Sequence, residues 1–274
     1  MLALLFSEML DPAPAVSTEE FGDSWLVELY FDGELPDQAA LEAVGEAAGD
    51  AKAFRALEFE PLPDLNWVEI TQRGLHPVRA GRFYIHGSHD RARAVTHAFA
   101  IEIEAGQAFG TAHHGTTRGC LTMIDRLAKG GRYASALDLG TGSGVLAIAA
   151  AKSLTRSVLA ADIDPVAVRV AAENVMLNGA AGRVRTVCAS RLHQPTIRER
   201  APFPLVVANI LPGPLIELAR DIRDATAVGG DLVLSGILDH QAQSVIATYI
   251  AQGFVKQAQL SIDGWSTLLM QRRR

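Results

Sequence analysis

The sequence predicts an α/β protein. It calls for a seven-stranded sheet of five parallel strands plus a C-terminal antiparallel hairpin, preceded by a small α+β domain. Three observations carry this. From residue 134 onward short apolar runs alternate with helix-length segments, the rhythm of a parallel sheet covered on both faces. The stretch "FVKQAQLSIDGWSTLLMQ" then breaks that rhythm, with two strand-like runs around Asp263-Gly264. Before residue 100 the segments are short and mixed.

The parallel strands are expected at residues 136–139, 158–162, 184–188, 204–209 and 231–235, each short and nearly continuous in apolar residues. Helices are expected at 143–153, 165–178, 213–227 and 239–251. In the first part, residues 24–31 (SWLVELYF) read as a strand, and Pro36-Asp37 opens a helix that runs to Gly49. Residues 53–62 (AFRALEFEPL) alternate as a half-buried strand does, and an apolar helix is expected at 2–10. This divides the chain into a small α+β domain at 1–64, a partly extended connector at 65–108 and a larger α/β domain at 109–274.

Composition excludes several function classes. Of 274 residues, 49% are hydrophobic and 20% charged, the balance of a folded globular protein. The net charge of −6 argues against a protein that coats nucleic acid. Two cysteines, Cys120 and Cys188, make no disulfide framework. Residues 1–10 are apolar but contain Glu8 and lack a basic lead-in, so no signal peptide is expected. No apolar run is long enough to span a bilayer. A cytoplasmic monomer is the expectation.

The chemistry-bearing motif is "LDLGTGSGVLAIAAAK", between the first parallel strand and its helix. Gly140, Gly142 and Gly144 allow a sharp turn and close approach of a ligand. A dinucleotide fingerprint requires G-x-G-x-x-G, whereas here the third glycine comes one residue early. Asp138 precedes the loop, where its carboxylate would repel a pyrophosphate and attract an ammonium. Asp162 ends the second strand in "AADIDP", about twenty residues on, where an acidic side chain accepts ribose hydroxyls. Asp164 is the other candidate for that role, although Asp164-Pro165 reads as a helix cap and first turn. Ribose, ammonium and carboxylate without phosphate describe S-adenosylmethionine. A nicotinamide-dependent oxidoreductase is the competing reading of the glycine loop.

"PLVVANILPGPL" places Asn209 at the carboxyl end of the fourth strand, the edge where open α/β sheets bind ligands. Its amide oxygen, or a neighbouring carbonyl, is expected to accept a hydrogen bond from an incoming amine. Methyl transfer from a sulfonium is an in-line displacement that rests on positioning and needs no metal. The amine must be neutral. At pH 7 deprotonation costs about 4.6 kcal/mol for a lysine with a pKa of roughly 10.4, and ~1.4 kcal/mol for an α-amine with a pKa near 8.

One loop, "FGTAHHGTTRGC", raises the alternative of a metal or Cys–His site. His113 and His114 are adjacent and diverge if extended, no acid lies beside them, and Cys120 falls on an amphipathic helix with Leu121, Ile124 and Leu127. No metal is expected. Thr116 or Thr117 is expected to cap that helix.

These residues resemble the class I S-adenosylmethionine-dependent methyltransferases, with their Rossmann-like seven-stranded sheet, and within them the PrmA family. The resemblance runs from about residue 65 onward, through "NWVEITQRGLHPVRAGRFYIHG", "IEIEAGQAFGTAHHGTTRGCL", the glycine loop, "ADIDPVAVRVAAENVMLNG" and "VVANILPGPLIELA". It implies cofactor contacts at Phe109, Thr117, Gly140, Asp162 and Asn209, joining Asp138 and Gly142 from the loop. His114 either bonds near the methyl-transfer site or holds the loop. The resemblance also implies methylation of lysines and a terminal amine of large-subunit ribosomal protein eleven, recognised by a ferredoxin-like N-terminal domain. Another protein, such as an electron-transfer flavoprotein, is the alternative target. Against the family pattern, that domain's first strand is expected to be missing. The chain also has Ala112 for a glycine and Gly115 for a proline, and Ser190 where many methyltransferases carry an adenine-binding acid.

Overall fold

The structure is a computed structural model that describes residues 15–21, 24–31, 40, 43–44, 77–94, 97–103, 115–131 and 133–273. The chain divides into two compact units, Met1–Leu65 and Asn66–Arg274. In the first, Ala15–Phe21 (β1) and Ser24–Tyr30 (β2) pair antiparallel, with Phe21 opposite Ser24. Only β2 is expected from sequence. The polar run Ser17-Thr18-Glu19-Glu20 hides β1, because a hydrophobic pattern is the signal that sequence reading uses. Ala40, Ala43 and Val44 are helical, within the helix expected at 36–49. The expected helix at 2–10 and strand at 53–62 lie outside the described residues.

In the second unit, Val78–Ala80 (β3), Phe83–His86 (β4) and Ala100–Glu102 (β5) form a three-stranded sheet. Its stretch of chain reads from sequence as a connector. Instead Phe83, Ile85, Ile101 and Ile103 are buried and belong to a main core cluster. The pattern is hard to see because these strands are only three or four residues long.

Gly115–Gly130 (α1) leads into the large sheet. Its elements follow in order: Ala136–Leu139 (β6), Val145–Ser153 (α2), Val158–Asp162 (β7), Pro165–Leu177 (α3), Val184–Cys188 (β8), Phe203–Asn209 (β9), Pro212–Glu217 (α4), Ala219–Ala225 (α5), Thr226–Leu238 (β10), Ala242–Ala251 (α6), Phe254–Ile262 (β11) and Trp265–Arg272 (β12). The strand order is β11-β12-β10-β9-β6-β7-β8. Strands β8, β7, β6, β9 and β10 are parallel, while β12 runs antiparallel to both β10 and β11. The expected fold class is the observed one.

Period-two alternation sorts the strand residues onto two cores. Ala136, Val158, Ala160, Leu205, Val207 and Val233 join the cluster that holds Leu121 and Ile124 of α1 and Ile148 of α2. Leu137, Leu159, Val206, Leu232 and Leu268 join the other, with Leu215, Ile222 and Tyr249. Burial on both faces is why each strand reads as a continuous apolar run rather than an alternating one.

The single helix expected at 213–227 is two, α4 and α5, broken at Leu218. The buried Tyr249 hydroxyl donates to the Leu215 carbonyl at 2.9 Å, a competing partner within the last turn of α4. The expected hairpin turn is present: Ile262 pairs with Trp265 across Asp263 (φ 51°) and Gly264 (φ 78°). Two positive φ values define the mirror-image turn that suits strand twist.

Candidate functional site

Strand order reverses at β6, whose neighbours are β7 and β9, and a cavity of about 560 Å³ opens beyond the carboxyl ends of these strands. The loop after β6 forms its floor. Gly140 N–H and Thr141 N–H donate to the Ala161 carbonyl (2.8 and 3.0 Å), and Gly142 N–H donates to Asp162 Oδ2 (2.9 Å). Gly140 has φ +70°, and a Cβ there would lie 2.2 Å from Ile210 Cγ2, so both conformation and space require glycine.

Asp162 lies on the cavity wall at the end of β7. Its Oδ1 accepts from Asp164 N–H at 3.1 Å, so each oxygen takes one backbone amide and keeps further acceptor capacity. Asp164 itself caps α3: its Oδ1 accepts from Val166 N–H at 2.8 Å, with Pro165 at the first helical position. The Asp164 cap with Pro165 at the first position is the one the sequence suggests.

Asp138 differs from expectation. It is 2% exposed and does not line the cavity. Odd-numbered Leu137 and Leu139 face one core, so Asp138 turns to the other side, beneath the start of α2. Thr141 Oγ1 donates to its Oδ2 at 2.6 Å, while Oδ1 has no hydrogen-bond partner. Burial pushes its pKa up to about 6; the Thr141 hydroxyl and Ala147 amide oppose the rise and the Asp162 charge adds to it. A carboxylate below the helix N-terminus complements the positive end of the dipole. That end is therefore already served by protein, which leaves little attraction for a phosphate.

The opposite wall comes from distant segments. Thr116 and Thr117 of α1, Asn209 of β9, Gly236 of β10 and Trp265 of β12 all line the cavity. Asn209 Nδ2 donates to Thr117 Oγ1 at 3.5 Å. Behind them, buried Ser235, registered opposite Asn209, has its hydroxyl 2.9 Å from Thr267 Oγ1, 3.2 Å from the Ser266 carbonyl and 3.4 Å from the Thr116 carbonyl. A Cβ at Gly119 would lie 2.1 Å from Thr267 Oγ1, so α1 packs on β12 without a side chain between. Arg118 and Asp263 close the same seam at 2.9 Å.

Among the sequence-selected residues, then, Thr117, Gly140, Gly142, Asp162 and Asn209 meet at one cavity. Phe109 and His114 lie outside the described residues. Sequence reading missed Ile163, Leu192, Gly236 and Trp265 on the wall, and Ser235 and Thr267 behind it. Ile163, next to Asp162 and 70% exposed, was open to detection as an apolar residue beyond the end of its strand. Cys120 is fully buried and burial raises its pKa, the state of a core thiol rather than a nucleophile. Among the described residues no group of three or more histidine, cysteine and acidic side chains could hold a metal, and no helix is long and apolar enough to cross a membrane.

The cavity fits S-adenosylmethionine: glycine backbone forms its floor, a carboxylate with acceptor capacity stands at its rim, and Leu139, Leu146, Ile163 and Leu192 give it an apolar wall. Fold and site together define a class I S-adenosylmethionine-dependent methyltransferase. The profile of the family described as PrmA, ribosomal protein L11 methyltransferase, matches residues 7–273, and the chain belongs to that family. It is 51% identical over 248 residues to the ribosomal protein L11 methyltransferase of Rhodopseudomonas palustris, covering 90% of this chain and 83% of that protein. To the protein of the same name from Mesorhizobium japonicum it is 47% identical over 267 residues, 97% and 91% of the two chains. The crystal structure of ribosomal protein L11 methylase from Lactobacillus delbrueckii subsp. bulgaricus superposes with a TM-score of 0.65 at 29% identity, covering 73% of this chain and all of that one.

Proposed function

We propose that this protein methylates lysine side chains and a terminal amine of ribosomal protein L11, as a cytoplasmic monomer. The family match along residues 7–273, extending across both units, is the observation that carries the substrate. In this reading residues 1–64 recognise the substrate and the unit from Asn66 onward does the chemistry.

When bound, S-adenosylmethionine supplies a methyl group made electrophilic by its sulfonium. The protein's own residues do the rest. The backbone of Gly140 and Gly142 lets the ligand approach the loop, and Asp162 accepts from the ribose hydroxyls. Thr117 borders the same cavity and holds Asn209 by its amide nitrogen. With Nδ2 so occupied, Asn209 Oδ1 is the atom that accepts a hydrogen bond from the incoming amine and aims its lone pair. Phe109 and His114 belong to this proposal on sequence grounds alone.

Asn209 is no base, so the amine gives its proton to solvent, helped by the apolar wall. The rate on a lysine substrate therefore rises from about pH 7 to about pH 9 when chemistry limits turnover, since the neutral fraction grows toward a pKa of roughly 10.4. The substrate assignment is tested by incubating the protein with S-adenosylmethionine and purified ribosomal protein L11, then mapping methyl groups by mass spectrometry. Methyl gains on lysines and the terminal amine are expected. L11 left unmodified in that reaction would overturn the assignment.

A further inference from the structure

The glycine loop is held from three sides. Two belong to β7, through the Ala161 carbonyl and the Asp162 carboxylate. The third comes from α3, whose side chains the chemistry above does not use. Asn174, 5% exposed, donates from Nδ2 to the Ser143 carbonyl at 2.8 Å. Ser143 sits inside the loop between Gly142 and Gly144 and is itself 1% exposed. Its carbonyl belongs to the peptide that leads into α2, so fixing this oxygen fixes the plane of the turn that presents Gly142 to the cavity.

Asn178, four residues on, is the C-cap of α3. Its Oδ1 accepts from Glu102 N–H at 2.9 Å, and its Nδ2 donates to the Glu102 and Asn174 carbonyls at 2.8 and 2.9 Å. The last turn of α3 and its cap thus carry two amide clamps. One grips the cofactor loop; the other grips β5. Helix propensity gives no reason for asparagine at 174, since asparagine is a poor residue for a helix interior. An amide is needed there because it can donate to a buried carbonyl in a fixed direction while keeping no charge.

We infer that Asn174 is a positioning residue for the methyl donor: by holding the Ser143 carbonyl it sets the glycine loop in the form that accepts S-adenosylmethionine, whereas Asn178 holds the fold. Asn174 itself lies outside the cavity lining and acts through the loop. The inference rests on the cofactor class and is independent of which protein is methylated.

The test compares Asn174→Ala with Asn178→Ala in the full chain, by calorimetric titration with S-adenosylmethionine and by thermal melting without it. Asn174→Ala is expected to weaken cofactor binding about tenfold, with kcat at saturating cofactor within about twofold of the parent. Asn178→Ala is expected to lower the Tm with cofactor affinity changed by less than about twofold. Asn174→Ser keeps a polar atom in the pocket but shortens the reach. It provides a milder second variant and should show the same affinity loss at a Tm nearer the parent's. Parent-like cofactor affinity in both Asn174 variants overturns the inference, as does an affinity loss that follows the Tm loss equally in all three. Failure of the parent itself to bind S-adenosylmethionine would instead strike at the cofactor assignment.

Discussion

The two walls of the cavity are made in opposite ways. On the β6–β7 side the floor is main chain, glycines and amides locked onto Ala161 and Asp162, flanked by the Asp162 carboxylate and apolar side chains. On the α1–β9–β12 side the wall is side chain: Thr117, Asn209 and Trp265, backed by the Ser235–Thr267 hydroxyl pair. A main-chain wall is damaged by adding atoms and a side-chain wall by removing them. The first confers a shape that many ligands of one class share, and the second confers the particular reaction.

Substitutions on each wall can break this contrast. The largest effect is expected at Asn209. Asn209→Ala should lower kcat on the order of 10²-fold, as loss of a preorganised hydrogen-bonding group does, with cofactor affinity within a few-fold. Single-turnover kinetics and calorimetry measure the two separately, and equal loss in both would merge the walls' roles. Next is Gly140→Ala, which adds one carbon at φ +70° against Ile210. The left-handed conformation alone costs about 1–2 kcal/mol and the clash adds to it, so cofactor binding should fall by roughly thirtyfold or more.

Behind the main-chain wall, Asp138 gives a pH signature. Its folded pKa, about 6, lies above the usual carboxylate value. Between about pH 4 and about pH 6 the folded protein holds a proton that the unfolded chain releases, so the wild type loses stability as pH rises through this window. Asp138→Asn removes that dependence. It should raise the Tm at pH 7 by the equivalent of about 2–3 kcal/mol, with the gain shrinking toward pH 4. Thermal melts across that range give the answer, and a variant less stable at pH 7 than at pH 4 relative to wild type would reverse the sign. The smallest effect is Thr267→Val, which removes one buried hydroxyl partner of Ser235 and costs about 1 kcal/mol by denaturant titration.

The same contrast explains what sequence could convey. The main-chain wall is local: β6, its glycines and Asp162 lie within a short stretch whose spacing has one geometric meaning, and the Asp164 cap follows from Asp-Pro. Asn209 was recoverable because a strand end in a parallel sheet points to the ligand edge. Asp138 was read with the wrong partner, since the pattern gives its place on the strand but not that its face lies under α2. Ser235, Thr267 and Trp265 have no local signature at all. Their meaning depends on β12 being inserted between β10 and β11, and on Gly119 leaving room for Thr267. In the fold, the three-residue strands β3 and β5 fell below the length at which periodicity can be detected.

The place of β12 in the sheet also bears on assembly. Among the described residues β11 pairs with β12 alone, so the hairpin joined at Asp263-Gly264 meets the rest of the sheet through β12. The β10–β12 pairing places both Trp265 at the cavity and Thr267 against Ser235. The sheet and the site therefore depend on the same pairing. Without the β10–β12 pairing the glycine loop would face only half a binding site, so methyl-donor affinity should report whether that edge of the sheet is intact.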